Sequence, residues 1–158
     1  MRGLWTRRRA LALSLPALAA CTAQGPRYAP TGNAPAAGSG MIYIYRPLGT
    51  IATRGEPPFV AVGGKPRGRM RSGSYIAVTV PEGEVKVSVQ QSLFMLVPTI
   101  PRSVMVDVVA GGSSYVRVDQ VISGADMSGG VTVSQSVVIE EVSPEVGQAE
   151  LQQARENL

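Results

Sequence analysis

Between Met41 and Glu140, apolar side chains recur at every second position in short runs, the period of strands buried on one face. Ile42 and Ile44 alternate with Tyr43 and Tyr45, and the run stops at Pro47, which cannot donate to a ladder. Phe59 to Val62 follows and ends at Gly63-Gly64, a hairpin turn. Tyr75 to Val80 carries Ile76, Val78 and Val80 on one face, and Pro81-Glu82-Gly83 turns the chain into Glu84 to Gln90. There Val85, Val87 and Val89 share a face, a pattern repeated by Val104, Val106 and Val108 before Gly111-Gly112. Val116 and Val118 then oppose Tyr115 and Arg117. In the last run, Val131 to Glu140, Val131, Val133 and Val137 alternate with Thr132, Ser134 and Ser136. These seven runs, separated by Gly and Pro, predict an all-β domain over residues 41–142, a seven-stranded antiparallel β-sandwich.

The ends of the chain depart from this pattern. Ser143-Pro144-Glu145 reads as a helix start with proline at the first helical position, and Ala149 to Leu158 is rich in helix formers. Residues 143–158 are therefore expected to form a short helix and tail, with Leu151, Ala154 and Leu158 as its apolar stripe. Residues 22–40 are rich in Ala, Gly, Pro, Ser and Thr, and Tyr28 is their one bulky apolar side chain. Such a stretch reads as a flexible tether, with a typical reach of roughly 25 Å.

Ahead of it, Ala10 to Ala20 is an apolar run behind Arg2, Arg7, Arg8 and Arg9. As a helix it would cover less than about 20 Å, too short for a hydrocarbon core of about 30 Å, so residues 1–20 read as a cleaved targeting segment. Leu18-Ala19-Ala20-Cys21 resembles the lipobox of bacterial lipoproteins. That resemblance implies cleavage between Ala20 and Cys21, lipid on Cys21, and a tether over 21–40. Thr22, where Asp marks inner-membrane retention in such proteins, implies transfer to the outer membrane, with the domain facing the periplasm. Thr6-Arg7-Arg8 also touches the twin-arginine export pattern, although Ala10 stands where a bulky residue is usual.

Charge alters the picture once this segment is set aside. The formal net charge of +4 equals the four arginines before Ala10, which leaves eleven basic and eleven acidic residues beyond. Basicity therefore argues nothing about nucleic acid, and none is expected as a partner. Cys21 is the only cysteine and histidine is absent, so disulfides, cysteine-based metal sites and His-dependent nucleophiles are excluded. No metal or cofactor is expected, and no catalytic residue is assigned.

Tyr43-Ile44-Tyr45-Arg46-Pro47, Val62-Gly63-Gly64-Lys65, Gly73-Ser74-Tyr75 and Val80-Pro81-Glu82-Gly83 occur in order. Together with Ala110-Gly111-Gly112 before Ser114-Tyr115-Val116-Arg117, they resemble a family of small bacterial lipoproteins with one domain of unknown function. Val80 to Glu84 is also similar to the turn that names the PEGA domains, small envelope β-sandwiches. The resemblance implies a PEGA- or transthyretin-like sandwich on a lipid anchor and carries no catalytic activity with it. The apolar segment Ser92 to Pro101 departs from the family pattern.

Three groups of residues could carry binding. Lys65, Arg67, Arg69 and Arg71 stand at every second position, so an extended chain would project all four from one face. That would be a contact for lipopolysaccharide or another anionic polymer; the alternative is a solvated hairpin whose register Gly63, Gly64, Pro66 and Gly68 break. Leu93, Phe94, Met95 and Leu96 form either core or an exposed patch for membrane or a partner. Arg46 and Arg117, within apolar strands, are expected to bridge to Asp107, Asp119 or Glu82, or else to hold a carboxylate or phosphate ligand. The expected function is a non-catalytic binding or structural module of the cell envelope, with an envelope protein, lipopolysaccharide or wall polymer as partner. Two alternatives remain: a hydrolase of envelope polymers using Glu82, Glu84 or Asp107, and an assembly subunit that adds a strand to a neighbour. Oligomeric state is open.

Overall fold

The computed structural model describes residues 23–29, 35–50, 56–93, 97–126 and 132–157. Its strands are β1 (Ser39–Arg46), β2 (Phe59–Val62), β3 (Lys65–Arg69), β4 (Ser74–Pro81), β5 (Gly83–Gln90) and β6 (Ser92–Leu93). They continue with β7 (Val97–Pro98), β8 (Arg102–Val108), β9 (Ser113–Asp126) and β10 (Thr132–Val142). A helix, α1 (Pro144–Leu151), and a two-residue strand, β11 (Arg155–Glu156), complete the described chain. The all-β expectation holds, but the strand count does not. The seven runs expected from the sequence are all strands, and β3, β6, β7 and β11 are additional. Three of these are only two residues long and β3 alternates cations with Pro and Gly, so none shows an apolar period of two.

Two sheets face each other. One has the order β10-β9-β1-β4-β11 and the other β3-β2-β5-β8, with β6 and β7 paired separately. Ile42, Ile44, Val78, Val80, Val116, Val118 and Val137 from the first sheet meet Val60, Val62, Val87, Val89, Val106 and Val108 from the second. This is the core that alternation foretells, since every second residue of each strand faces the opposite sheet. The Pro81-Glu82-Gly83 turn links β4 to β5 and so carries the chain from one sheet to the other.

The pairing is not purely antiparallel, contrary to expectation. β1 pairs antiparallel with β4 but parallel with β9, Met41 opposite Ser113 and Tyr45 opposite Arg117. β11 is likewise parallel to β4. Alternation within a strand gives its faces and says nothing of its neighbour's direction. β1 is therefore a central strand buried on both sides, Tyr43 and Tyr45 being buried as Ile42 and Ile44 are.

Both ends of the described chain also differ from expectation. α1 is the short helix expected, ending at Leu151, but the tail after it turns back so that Leu151 and Ala154 are buried against the first sheet. Within the stretch expected to be a free tether, residues 23–29 pack on the domain. The Ala23 amide donates to the Ser72 carbonyl at 3.3 Å, the Tyr28 amide to Ala154 at 3.0 Å, and the Glu156 amide to Pro26 at 2.8 Å. Arg27 bridges to Arg155, and Gly25 lies so close to the Glu156 carbonyl that a β-carbon would collide with it.

Candidate functional site

The outer face of the five-stranded sheet carries a second cluster, built from Tyr43, Tyr45, Tyr115, Leu151 and Ala154 with Tyr28, Met41, Tyr75 and Val142 packed around it. All five tyrosines of the chain are here. Tyr43 stacks on Tyr115 with ring centroids 5.5 Å apart, and Tyr28 stands edge-on to Tyr43 and Tyr75 at 5.5 and 5.6 Å. These are the offset and T-shaped geometries that aromatic quadrupoles favour. Segment 23–29 supplies Tyr28, and α1 with the turn after it supplies Leu151 and Ala154, so the cluster joins three distant parts of the sequence.

A polar network borders the cluster. Tyr45 donates its hydroxyl to Glu150 Oε2 at 2.6 Å, Arg117 reaches Glu150 Oε1 at 3.2 Å, and Arg117 holds Glu140 Oε1 at 2.5 Å. Burial, and then the bond to Glu150, push the Tyr45 hydroxyl well above the usual tyrosine range. The bond to Glu140 raises the Arg117 guanidinium, so this cation stays charged across the accessible pH range. Beside the network is a cleft of about 260 Å³ lined by Arg46, Pro47, Leu48, Gly73, Glu150, Gln153 and Ala154. A second, of about 230 Å³, is lined by Val89, Gln91, Thr99, Ile100, Arg102, Ser136 and Val137.

Arg46 and Arg117 do not converge on a ligand. Alternation turns Arg46 toward the core, where it is 2 % exposed, and Arg117 to the outer face. Arg46 donates to the Met70 carbonyl at 3.2 Å and to Gln120 Oε1, while Gln120 in turn donates to the Glu56 carbonyl. Burial lowers Arg46 to about 10, with Asp119 opposing, so it is still a cation at neutral pH. Beside the Asp119 charge, the acceptors at Met70 and Gln120 tie it across one end of the core. Arg117 takes Glu140 and Glu150 instead of Asp107, Asp119 or Glu82.

The cationic stripe is broken. Arg69 pairs with Phe59, Gly68 with Val60, Pro66 with Ala61 and Lys65 with Val62, which leaves Arg67 as the extra residue of a bulge. The bulge shifts the alternation, so Lys65 lies on the side of Val62 and Arg69 on the side of Phe59, and the four cations do not share one face. Arg69 is further committed to Glu56 at 2.8 Å and to the Phe59 ring at 4.2 Å. Arg71 lies beyond β3, where its amide donates to Asn157 Oδ1 at 3.2 Å.

Of the proposed apolar patch, Leu93 belongs to β6, and Phe94, Met95 and Leu96 lie outside the described residues, as do Ala20 and Cys21. Glu84 and Asp107 stand opposite each other on β5 and β8, and neither lines either cleft. Burial, and then the nearby Asp107 charge, raise the Glu141 carboxyl. Among the described residues no group of three or more acidic or sulfur side chains could hold a metal.

The fold and this face define a two-sheet β domain whose outer tyrosine cluster is capped by segment 23–29 and by α1 with the turn after it. The model of the family described as Protein of unknown function (DUF2846) matches residues 36–131, more than half of the chain, and the chain belongs to that family. No curated protein and no solved structure matches it.

The sequence left Glu150, Gln120 and the role of Tyr28 unnoticed. Only the gathering of tyrosines at odd positions of two apolar strands hinted at a second buried face.

Proposed function

We propose that this protein is a cell-envelope lipoprotein, held at the outer membrane through lipid on Cys21, whose β-sandwich is a non-catalytic binding or structural module facing the periplasm. The observation that carries the reading is the position of the only cysteine, directly after Leu18-Ala19-Ala20 and an apolar run behind four arginines. The likeness of the Pro81-Glu82-Gly83 turn to those of PEGA-type envelope sandwiches agrees with it. The buried polar side chains support a module whose polar groups serve its own structure. Among the described residues, no buried side-chain nitrogen or oxygen lacks a partner.

Cys21→Ser tests the reading. Wild-type protein should fractionate with membranes and carry a mass increment of diacylglycerol with or without an added acyl chain, and the variant should lose both. A wild-type chain without lipid would overturn it.

A second reading, an assembly subunit, is favoured by one edge. β11 covers β4 only at Ser74 and Tyr75, and beyond Tyr75 no described strand pairs with that side of β4. Such an edge can accept a strand from a neighbour. Self-association abolished by a Thr79→Pro substitution, at an exposed residue whose amide lies on the free side of β4, would support it if the monomer stays folded.

A further inference from the structure

The docking of residues 23–29 sets how far the domain stands from whatever holds Cys21. A free 19-residue stretch would let the domain float clear of a bilayer by roughly 25 Å. Here the chain is already bound at Ala23, whose amide meets the Ser72 carbonyl and which is buried. It stays bound through Gly25 and Pro26 to Tyr28, whose ring closes on Tyr43 and Tyr75. Only Thr22 lies between Ala23 and Cys21, so the two Cα atoms are at most about 7 Å apart. The headgroup layer on each side of the hydrocarbon core is itself about 5–8 Å deep. A lipid on Cys21 therefore leaves no space for the domain to stand free.

Ala23 marks which part of the domain would be brought down. Ser72 accepts its amide, the Ser72 hydroxyl meets the Gly49 amide at 2.9 Å, and Gly73 donates to the Pro47 carbonyl at 3.3 Å. These bonds join Pro47–Gly49 and Arg71–Gly73 into one rim. On it Leu48 is 58 % exposed, and Arg71 supplies a cation. An exposed aliphatic side chain beside an arginine suits the boundary between acyl chains and phosphate.

Resting on the lipoprotein reading above, we infer that the Pro47–Gly49 and Arg71–Gly73 rim is a membrane-contact surface. It lies in the headgroup layer of a phospholipid bilayer, so the domain has a fixed orientation. Lys65, in the β2–β3 hairpin and up to about 20 Å along the chain from Arg71 at strand rise, serves as a position distant from that rim.

The test uses lipid-modified protein in vesicles of phosphatidylethanolamine and phosphatidylglycerol. The Cys21 thiol is consumed by lipid, so Leu48→Cys and Lys65→Cys each offer one thiol for an environment-sensitive fluorophore. The expected result is a blue-shifted emission at 48, quenched several-fold by a headgroup-labelled lipid, and a water-like, unquenched emission at 65. Adding Tyr28→Ala should release the strap and reduce the difference. Equal, water-like signals at both positions would overturn the inference. Mass analysis of the same samples separates the two failures: an unmodified Cys21 sinks the lipoprotein reading and the inference with it. A lipidated chain with equal signals sinks the inference alone. Fast hydrogen exchange at the Ala23 and Tyr28 amides would also sink it, by showing the strap undocked.

Discussion

On one side of β1, Ile42 and Ile44 pack among valines drawn from both sheets; on the other, Tyr43 and Tyr45 are covered by a helix, the turn after it and the segment 23–29. Both sides are buried, but by different means. The inner side is aliphatic, and its packing follows from the period of the strands. The outer side is aromatic and edged with ions, and the first and last described segments cover it. Aliphatic packing needs only shape, whereas the tyrosine side needs partners for its hydroxyls, and Glu150 and Gln148 supply two of them. Removing a cover segment should therefore injure the outer side and spare the inner one.

The largest expected effect is on the inner side. Ile44→Ala removes a fully buried side chain between two sheets and should cost about 2–5 kcal/mol in urea unfolding, with both clusters lost in one transition. A separate, later melting of the valine core would break the comparison in favour of two independent units.

Gly147→Ala should come next and acts on the outer side alone. In an exposed helix that change stabilises by about 1 kcal/mol. Here Gly147 is buried and the added methyl would run into the Tyr115 ring, so a loss of about 1–3 kcal/mol is expected. Denaturant midpoints decide it: a gain instead of a loss would show that α1 is not seated on Tyr115.

The smallest effect is a pH dependence that belongs to the tyrosine side. Burial, and then the neighbouring tyrosines, push Tyr28 up to about 12, and burial also raises Tyr75. An ordinary tyrosine ionises near 10. The stabilisation is thus complete below about pH 10 and drains away as pH rises toward 12, where the unfolded chain has lost protons that the folded one keeps. Arg46, lowered to about 10, works in the opposite sense over the same range, since there the folded chain is the one that has lost a proton. Comparing wild type with Tyr28→Phe cancels that term. The variant should show a flatter alkaline decline, by at most about 1 kcal/mol because the ring is only partly buried. Identical slopes would mean that Tyr28 does not sit in the cluster when the protein is in solution.

The same comparison explains what could be read from the sequence. Val87, Val89, Val106 and Val108 announce their face by simple alternation, and each proves to be core. The cationic stripe failed because one bulge at Arg67 reverses a parity that a regular strand would keep. Segment 23–29 has too little apolar content to suggest order by itself. Its order comes from a tertiary partner, β11, that is hidden in the tail after the short helix. Glu150 looked like one more solvated helix residue until the fold placed it against Tyr45 and Arg117. Function was least legible, since the one specific signal, the lipobox-like setting of Cys21, implies an address by resemblance and carries no chemistry.

The parallel neighbour of β1 has a temporal consequence. Met41 must wait for Ser113 to arrive before its sheet can form, and Tyr28 must wait for Ala154. Such distant pairings slow folding, because the loops between them are closed before contacts reward them. A chain growing from its N-terminus thus cannot complete this domain piecemeal. The first and last described segments lock together only once residues 154–156 have been made, and loss of those residues would leave segment 23–29 without most of its partners.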